Sequence, residues 1–222
     1  MRGPAPLHHT LLLRLQNTGV TLQTLHPETF DQGAIVDQTH SPGVPIPDLN
    51  TATPESLVRL LGPLGADMLR ENIMNGNFAL PTHNIPTDAA LSHSNQLRHA
   101  GKITPEDRRI DWNTWTLDDF ILRDRVLSRT WSESQVAGLG KRITFYGWRD
   151  VTAAYLDEFK AWKQYPEVGA MVLSKPPNKE LLFRTADDKI TSPFELTVAG
   201  DRRLPAASYW DHFSLYLESR AL

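Results

Sequence analysis

From Leu7 to Gln16 the apolar residues Leu7, Leu11, Leu12 and Leu15 recur at helical spacing, and Asn17 with Gly19 supplies a stop, so a short helix opens the chain. Val20 and Leu22 then alternate with Thr21 and Gln23, and Ala34 to Val36 follows an Asp31-Gln32-Gly33 turn. This reads as strand, loop, strand, with Asp31 at a strand rim. Thr53 before Pro54 starts a helix, because Thr caps and Pro suits the first helical position. Leu57, Leu60, Leu61 and Leu64 form its buried stripe. Proline removes a helical donor and crowds the preceding turn, so Gly62-Pro63 predicts a break near Leu61, with a second helix running from Pro63 toward Asn75.

Residues Leu80 to Gly101 hold Pro81, Pro86, three His and few aliphatics, the composition of a surface connection. It divides the chain into 1–79, a linker 80–105, and 106–222. Thr116 begins a further helix, with Asp118 and Asp119 placed to favour the helix dipole, and this helix should end before Gly138. After Gly140 the pattern turns strand-like: Ile143, Phe145 and Trp148 on one rhythm, then Val151 to Leu156, Ala170 to Ser174, Leu181 to Arg184, and Phe194 to Val198. Five short strands at turn-limited spacing suggest a small barrel such as an OB-fold. A last helix near Pro205, carrying Tyr209, Phe213 and Leu217, packs onto it.

Composition sharpens this division. At 222 residues with 40% hydrophobic content, the chain suffices for one large core or two small ones. A net charge of −3 announces neither a nucleic acid nor a membrane surface. The part from Glu106 onward holds 17 of the 23 Lys and Arg and all six Trp, but also 18 of the 26 Asp and Glu. It is densely charged rather than basic, and a nucleic-acid surface there would need charges segregated in three dimensions. The absence of Cys excludes a disulfide scaffold, a thiolate zinc site and a cysteine nucleophile. No run approaches the roughly 18 apolar residues of a membrane span. The start, interrupted at Gly3, Pro4 and Pro6, does not read as a signal or transit peptide.

Asp31 is the first candidate for chemistry, because a carboxylate beside glycine in a loop can approach a ligand and hold a neighbouring imidazole charged. Locally it reads first as an ordinary Asp-x-Gly turn, since Asp and Gly are both default turn residues. His26 is a conceivable partner with no specified geometry. His8 and His9 are adjacent rather than four apart, and no other spacing reads as a metal site, so no metal is expected. Lys102, in Gly101-Lys102-Ile103-Thr104, can meet a phosphate from a domain connection. Arg109-Ile110-Asp111-Trp112 looks like an anchoring turn with a buried aromatic, or else a solvated charged linker. Lys141 and Arg142, with further Lys and Arg interleaved with Trp and Tyr, could bind RNA through phosphates and stacking.

Taken in order, these segments resemble the methionyl-tRNA formyltransferase family, most closely its fungal mitochondrial type. Arg2-Gly3-Pro4-Ala5-Pro6 is similar to the family's R-G-x-A-P element, Thr18-Gly19-Val20-Thr21 to T-G-V-T, and Asp31-Gln32-Gly33-Ala34-Ile35 to D-x-G-x-I. Leu61-Gly62-Pro63, Lys102-Ile103-Thr104 and Arg108-Arg109-Ile110-Asp111-Trp112 follow in family order. The series carries the resemblance; no single motif does.

The resemblance implies a partial α/β, Rossmann-like formyltransferase domain followed by an all-β OB-like tRNA-binding barrel with flanking helices. It implies formyl transfer from 10-formyltetrahydrofolate to the amino group of methionyl initiator tRNA, in mitochondria, by a monomer with no metal and no DNA or membrane partner. Asp31 would be the catalytic aspartate, Gly33 a folate-loop neighbour, and Lys102, Lys141 and Arg142 tRNA contacts. The family's Asn-x-His and Ser-Leu-Leu-Pro elements should stand just before R-G-x-A-P, which here begins at Arg2, so the chain by itself is expected to be inactive. Two alternatives stay open: a non-catalytic tRNA-binding remnant, and another formyltetrahydrofolate-using enzyme such as a hydrolase or sugar formyltransferase.

Overall fold

A computed structural model describes residues 1–28, 33–77, 99–133, 141–161, 166–175 and 177–218. The chain divides into two compact units, Met1–Ile103 and Thr104–Leu222.

In the first unit, helix α1 (Pro6–Leu12) starts on a proline and buries Thr10 and Leu11. Strand β1 (Asn17–Thr18) anticipates a later pairing, and β2 (Thr21–Gln23) runs antiparallel to β3 (Ile35–Gln38), with Thr21 opposite Gln38 and Leu22 opposite Asp37. Strand β4 (Val44–Pro45) closes back on β1. Helix α2 (Pro54–Met74) is capped as its sequence requires: the Ser56 amide donates to the Thr53 hydroxyl at 3.1 Å, and the Thr53 amide donates to the Ser56 hydroxyl at 2.9 Å. Helix α1 and the β2–β3 hairpin pack against α2.

The expected break at Pro63 does not occur; α2 is one helix of 21 residues. Its buried side carries Pro54, Leu57, Leu61 and Asn72, while Gly62 and Pro63 are exposed. The carbonyl of Arg59, which Pro63 leaves without its helical donor, belongs to an exposed residue where water can replace the bond, so the ring is tolerated. Leu64, expected in the buried stripe, is exposed.

In the second unit a 3₁₀ turn at Glu106–Arg108 leads to helix α3 (Leu117–Leu127), whose Thr116 and Asp119 form a reciprocal capping box. This helix ends well before Gly138, because Ser128 adopts a left-handed φ of 64° and the chain turns into an unforeseen strand, β5 (Thr130–Glu133). Strand β6 (Arg142–Asp150) follows. The stretch from Val151 to Leu156 is not a strand: it lies within α4 (Thr152–Lys160), where Asp150 accepts from the Thr152 amide at 2.9 Å and Tyr155 and Phe159 are buried four residues apart. Strands β7 (Met171–Leu173), β8 (Leu181–Arg184), β9 (Ile190–Val198) and β10 (Leu204–Pro205) precede α5 (Ala206–Glu218).

The six strands form one antiparallel sheet ordered β5-β6-β9-β8-β7, with β10 also on β9. The expected OB-like barrel is not seen as a closed one: no β5–β7 pairing joins the ends among the described residues. β9 begins at Ile190, earlier than its pattern suggests. Pro193, which would argue against a strand, lies beyond the two β9 residues that pair with β8, so its missing donor breaks no ladder on that side. The core is aromatic. Trp112 stacks on Phe183 at 5.1 Å between centroids, and Trp148 meets Phe120 at 4.9 Å and Phe145 at 5.1 Å. The buried indole of Trp148 donates to the Thr130 hydroxyl at 2.7 Å, so the core carries its polar atom without a desolvation penalty.

Candidate functional site

The β2–β3 hairpin frames the loop that held the foremost candidate. Asp31 itself lies outside the described residues, and Gly33 stands at the loop's return. The Thr24 amide donates to the Ala34 carbonyl at 2.9 Å, and the Ala34 amide donates to the Thr24 hydroxyl at 2.9 Å. Between these bonds the two backbones come so close that a Cβ on Gly33 would lie 1.6 Å from the Thr24 carbonyl oxygen. Glycine is therefore a steric requirement at this loop mouth.

Strand β3 is fixed to α2 by a buried amide. Asn72, only 6% exposed, donates from Nδ2 to Asp37 at 2.9 Å and to the Met68 carbonyl at 2.9 Å, and accepts from Asn77 at 2.8 Å. Sequence reasoning passed over both Asn72 and Asp37. The available signal was an amide on the face of α2 that buries Leu57 and Leu61, a position that demands a partner. His26 is exposed and its Nδ1 accepts from the Glu28 amide at 3.2 Å, a local loop bond.

Beside the hairpin lies a cleft of about 440 Å³, lined among others by Arg2, Gly3, Thr10, Thr18, Thr21 and Gln23. The structure thus brings the R-G-x-A-P-like and T-G-V-T-like segments to one cavity. The Thr and Gln side chains are neutral hydrogen-bonding groups, set beside apolar Pro6, Leu7 and Leu15, a lining suited to orienting a ligand of modest size. The floor is held tightly: Ala100 donates to the Arg2 carbonyl at 2.6 Å, and Gly3, at φ 123°, lies where a Cβ would be 2.4 Å from the Ala100 carbonyl oxygen. His9 Nε2 lies 2.9 Å from the Gly101 carbonyl, a bond that needs the proton on Nε2. The segment leading to Lys102 is so anchored to α1, and Lys102 is exposed.

In the second unit Lys141 and Arg142 are both exposed, and the Arg142 guanidinium sits 4.0 Å from the centre of the Trp131 ring. Arg109 approaches the same ring at 5.4 Å and pairs with Glu106 and Glu133 at 3.7 Å each. Trp131 donates its indole proton to the Pro105 carbonyl at 2.6 Å. The Arg-Ile-Asp-Trp segment is an anchoring turn: Ile110 is buried, Asp111 accepts from the Asn113 amide and the Thr114 hydroxyl, and Trp112 donates to Ser132 at 3.1 Å. No cluster with metal-ligand composition occurs among the described residues, and none of their helices is long and apolar enough to cross a membrane.

No protein-family model matches the chain. The mitochondrial methionyl-tRNA formyltransferase of Saccharomyces cerevisiae is 34% identical over 126 residues, covering 50% of this chain and 30% of the relative. The chain is similar in sequence to methionyl-tRNA formyltransferases. The human mitochondrial enzyme is 42% identical over 74 residues, with 33% of this chain and 18% of the relative covered. That of Staphylococcus aureus (strain MW2) is 25% identical over 213 residues, with 94% and 59% covered. In each case the chain spans less than two thirds of the relative's length. Among solved structures, HypX from Aquifex aeolicus in complex with tetrahydrofolic acid matches with a TM-score of 0.58 at 18% identity, covering 96% of this chain and 33% of that one. At that identity the likeness speaks for the fold.

Proposed function

We propose that this chain carries part of a methionyl-tRNA formyltransferase, acting in mitochondria. In the reaction the amino nitrogen of methionyl initiator tRNA attacks the formyl carbon of 10-formyltetrahydrofolate; a C–N bond forms, the bond to folate N10 breaks, and the amine loses a proton. Asp31 serves the proton transfer and holds an imidazole charged toward the oxyanion, as the resemblance implies. Gly33 keeps the loop mouth closed beside the cofactor. Lys102, Lys141 and Arg142 meet tRNA phosphates, and the second unit serves as the OB-like tRNA-holding module of a monomer. The observation that carries this reading is the cleft that joins the two family-like segments around Arg2 and Thr18 and is lined by Thr21 and Gln23 of β2, the strand whose hairpin also carries Gly33.

Exposed Lys141 and Arg142, the latter over the Trp131 ring, offer an RNA-binding surface that needs no catalytic residue, and tRNA binding without transfer is the second reading. Incubating the chain with 10-formyltetrahydrofolate and methionyl initiator tRNA tests both. Retention of the tRNA in a gel shift is expected, and its absence overturns the proposal. Formyl-methionyl-tRNA that vanishes with Asp31→Asn would place that carboxylate in the chemistry and rule out the non-catalytic alternative.

A further inference from the structure

Among its described residues the second unit leaves one large apolar side chain in solvent: Phe194, 56% exposed. Its surroundings are built to hold it there. Across from it on β6, Gly147 adopts a φ of 71°, and a Cβ at that position would lie 2.7 Å from Cδ2 of the Phe194 ring. The Gly147 amide donates to Asp124 at 3.0 Å, so the kink that admits the ring is itself tied down. The Arg149 guanidinium stands 4.7 Å from the ring centre and is ion-paired with Glu180. Glu180 in turn accepts from the buried Ser192 hydroxyl at 2.7 Å, and its amide donates to the buried Ser174 hydroxyl at 2.8 Å.

Two properties of this arrangement select its ligand. Glu180 neutralises Arg149, so the spot offers a polarised π surface rather than a phosphate clamp. With no second large apolar side chain exposed among the unit's described residues, the apolar area they offer is that of one ring, far below what a protein interface needs and about the size of one base. We propose that Phe194, backed by Arg149, is a stacking platform for an unpaired nucleobase of RNA; the proposal rests on the reading of the second unit as a tRNA-holding module. Because stacking carries the contact, binding here depends little on salt, unlike binding through Lys141 and Arg142.

Fluorescence polarisation of a labelled, unstructured oligouridine against the full chain tests it, with initiator tRNA retention measured in parallel. Wild type should bind the oligouridine, Phe194→Ala should weaken it about tenfold, and Phe194→Tyr should retain it. Phe194→Leu keeps an apolar surface without a ring and should resemble the alanine variant. Equal binding by wild type and Phe194→Ala, restoration by leucine, or tRNA retention with no oligouridine binding each overturns the platform while sparing the wider reading. Failure of wild type to hold either RNA overturns both.

Discussion

Among the described residues, eight large apolar side chains stand exposed in Met1–Ile103, Leu25 at 96%, whereas Thr104–Leu222 exposes only Phe194. The first unit builds its sheets from two pairs of short strands, β1–β4 and β2–β3; the second builds six strands over an aromatic core. A two-stranded sheet buries little on its own and depends on what covers it. In the first unit that cover is one side of α2, and Val58, Leu69 and Ile73 of the same helix remain in solvent. The second unit buries both faces of β8, with Leu181 and Phe183 entering one cluster and Leu182 another beneath α4. Its stability is therefore its own, whereas the first unit presents apolar surface that folding has not removed from water.

Separating the units would test this contrast most severely. Residues 104–222 should unfold cooperatively by calorimetry, and residues 1–103 should show no cooperative heat absorption; a sharp transition in the latter would erase the distinction. Next in size, Gly33→Ala should cost about 3 kcal/mol or more, because backbone rather than a flexible side chain blocks the new methyl. Hydrogen exchange should show the loss confined to the β2–β3 hairpin, with the second unit's protection unchanged.

The smallest effect concerns Asp124, half-buried on α3. Burial raises its pKa above the usual carboxylate value, against the opposing hydrogen bonds from the Gly147 and Trp148 amides and the nearby charge of Arg203. The folded state thus holds this proton more tightly than the unfolded chain does. Stability from this group is greatest below the ordinary carboxylate range, declines as pH rises toward the raised value, and is flat above it. Asp124→Asn should remove that slope from denaturant-derived stabilities of the second unit. Asp124→Ala should cost about 1–2 kcal/mol by leaving the Gly147 amide unmatched.

The start of α2, the β2–β3 pair, β8 and the onset of α5 were legible because each is announced locally, by a cap, an alternation or a proline. Where local rules failed, a neighbour or a turn decided. Pro63 breaks helices in isolation but not where its orphaned carbonyl faces water. Val151 to Leu156, with its β-branched and aromatic residues, mimics a strand, yet the Tyr155–Phe159 spacing of a helix packs against Leu182 of β8 and Ile190 of β9. β5 stayed hidden because its preceding stop is Ser128 in a left-handed conformation rather than a glycine. The Asn72–Asp37 bond joins residues 35 positions apart, which no local pattern can announce. Gly33 was legible as a turn residue, but the contact that makes it obligatory depends on Thr24 across the hairpin.

The aromatic core has an optical consequence. All six Trp and all five Tyr belong to Thr104–Leu222, so ultraviolet absorbance near 280 nm and intrinsic emission report on that unit alone. A sharp fluorescence melt would describe half of the molecule, and the hairpin carrying Gly33 could come apart without changing the signal. One tryptophan placed in Met1–Ile103, at exposed Leu25 for instance, would give the silent half a voice of its own.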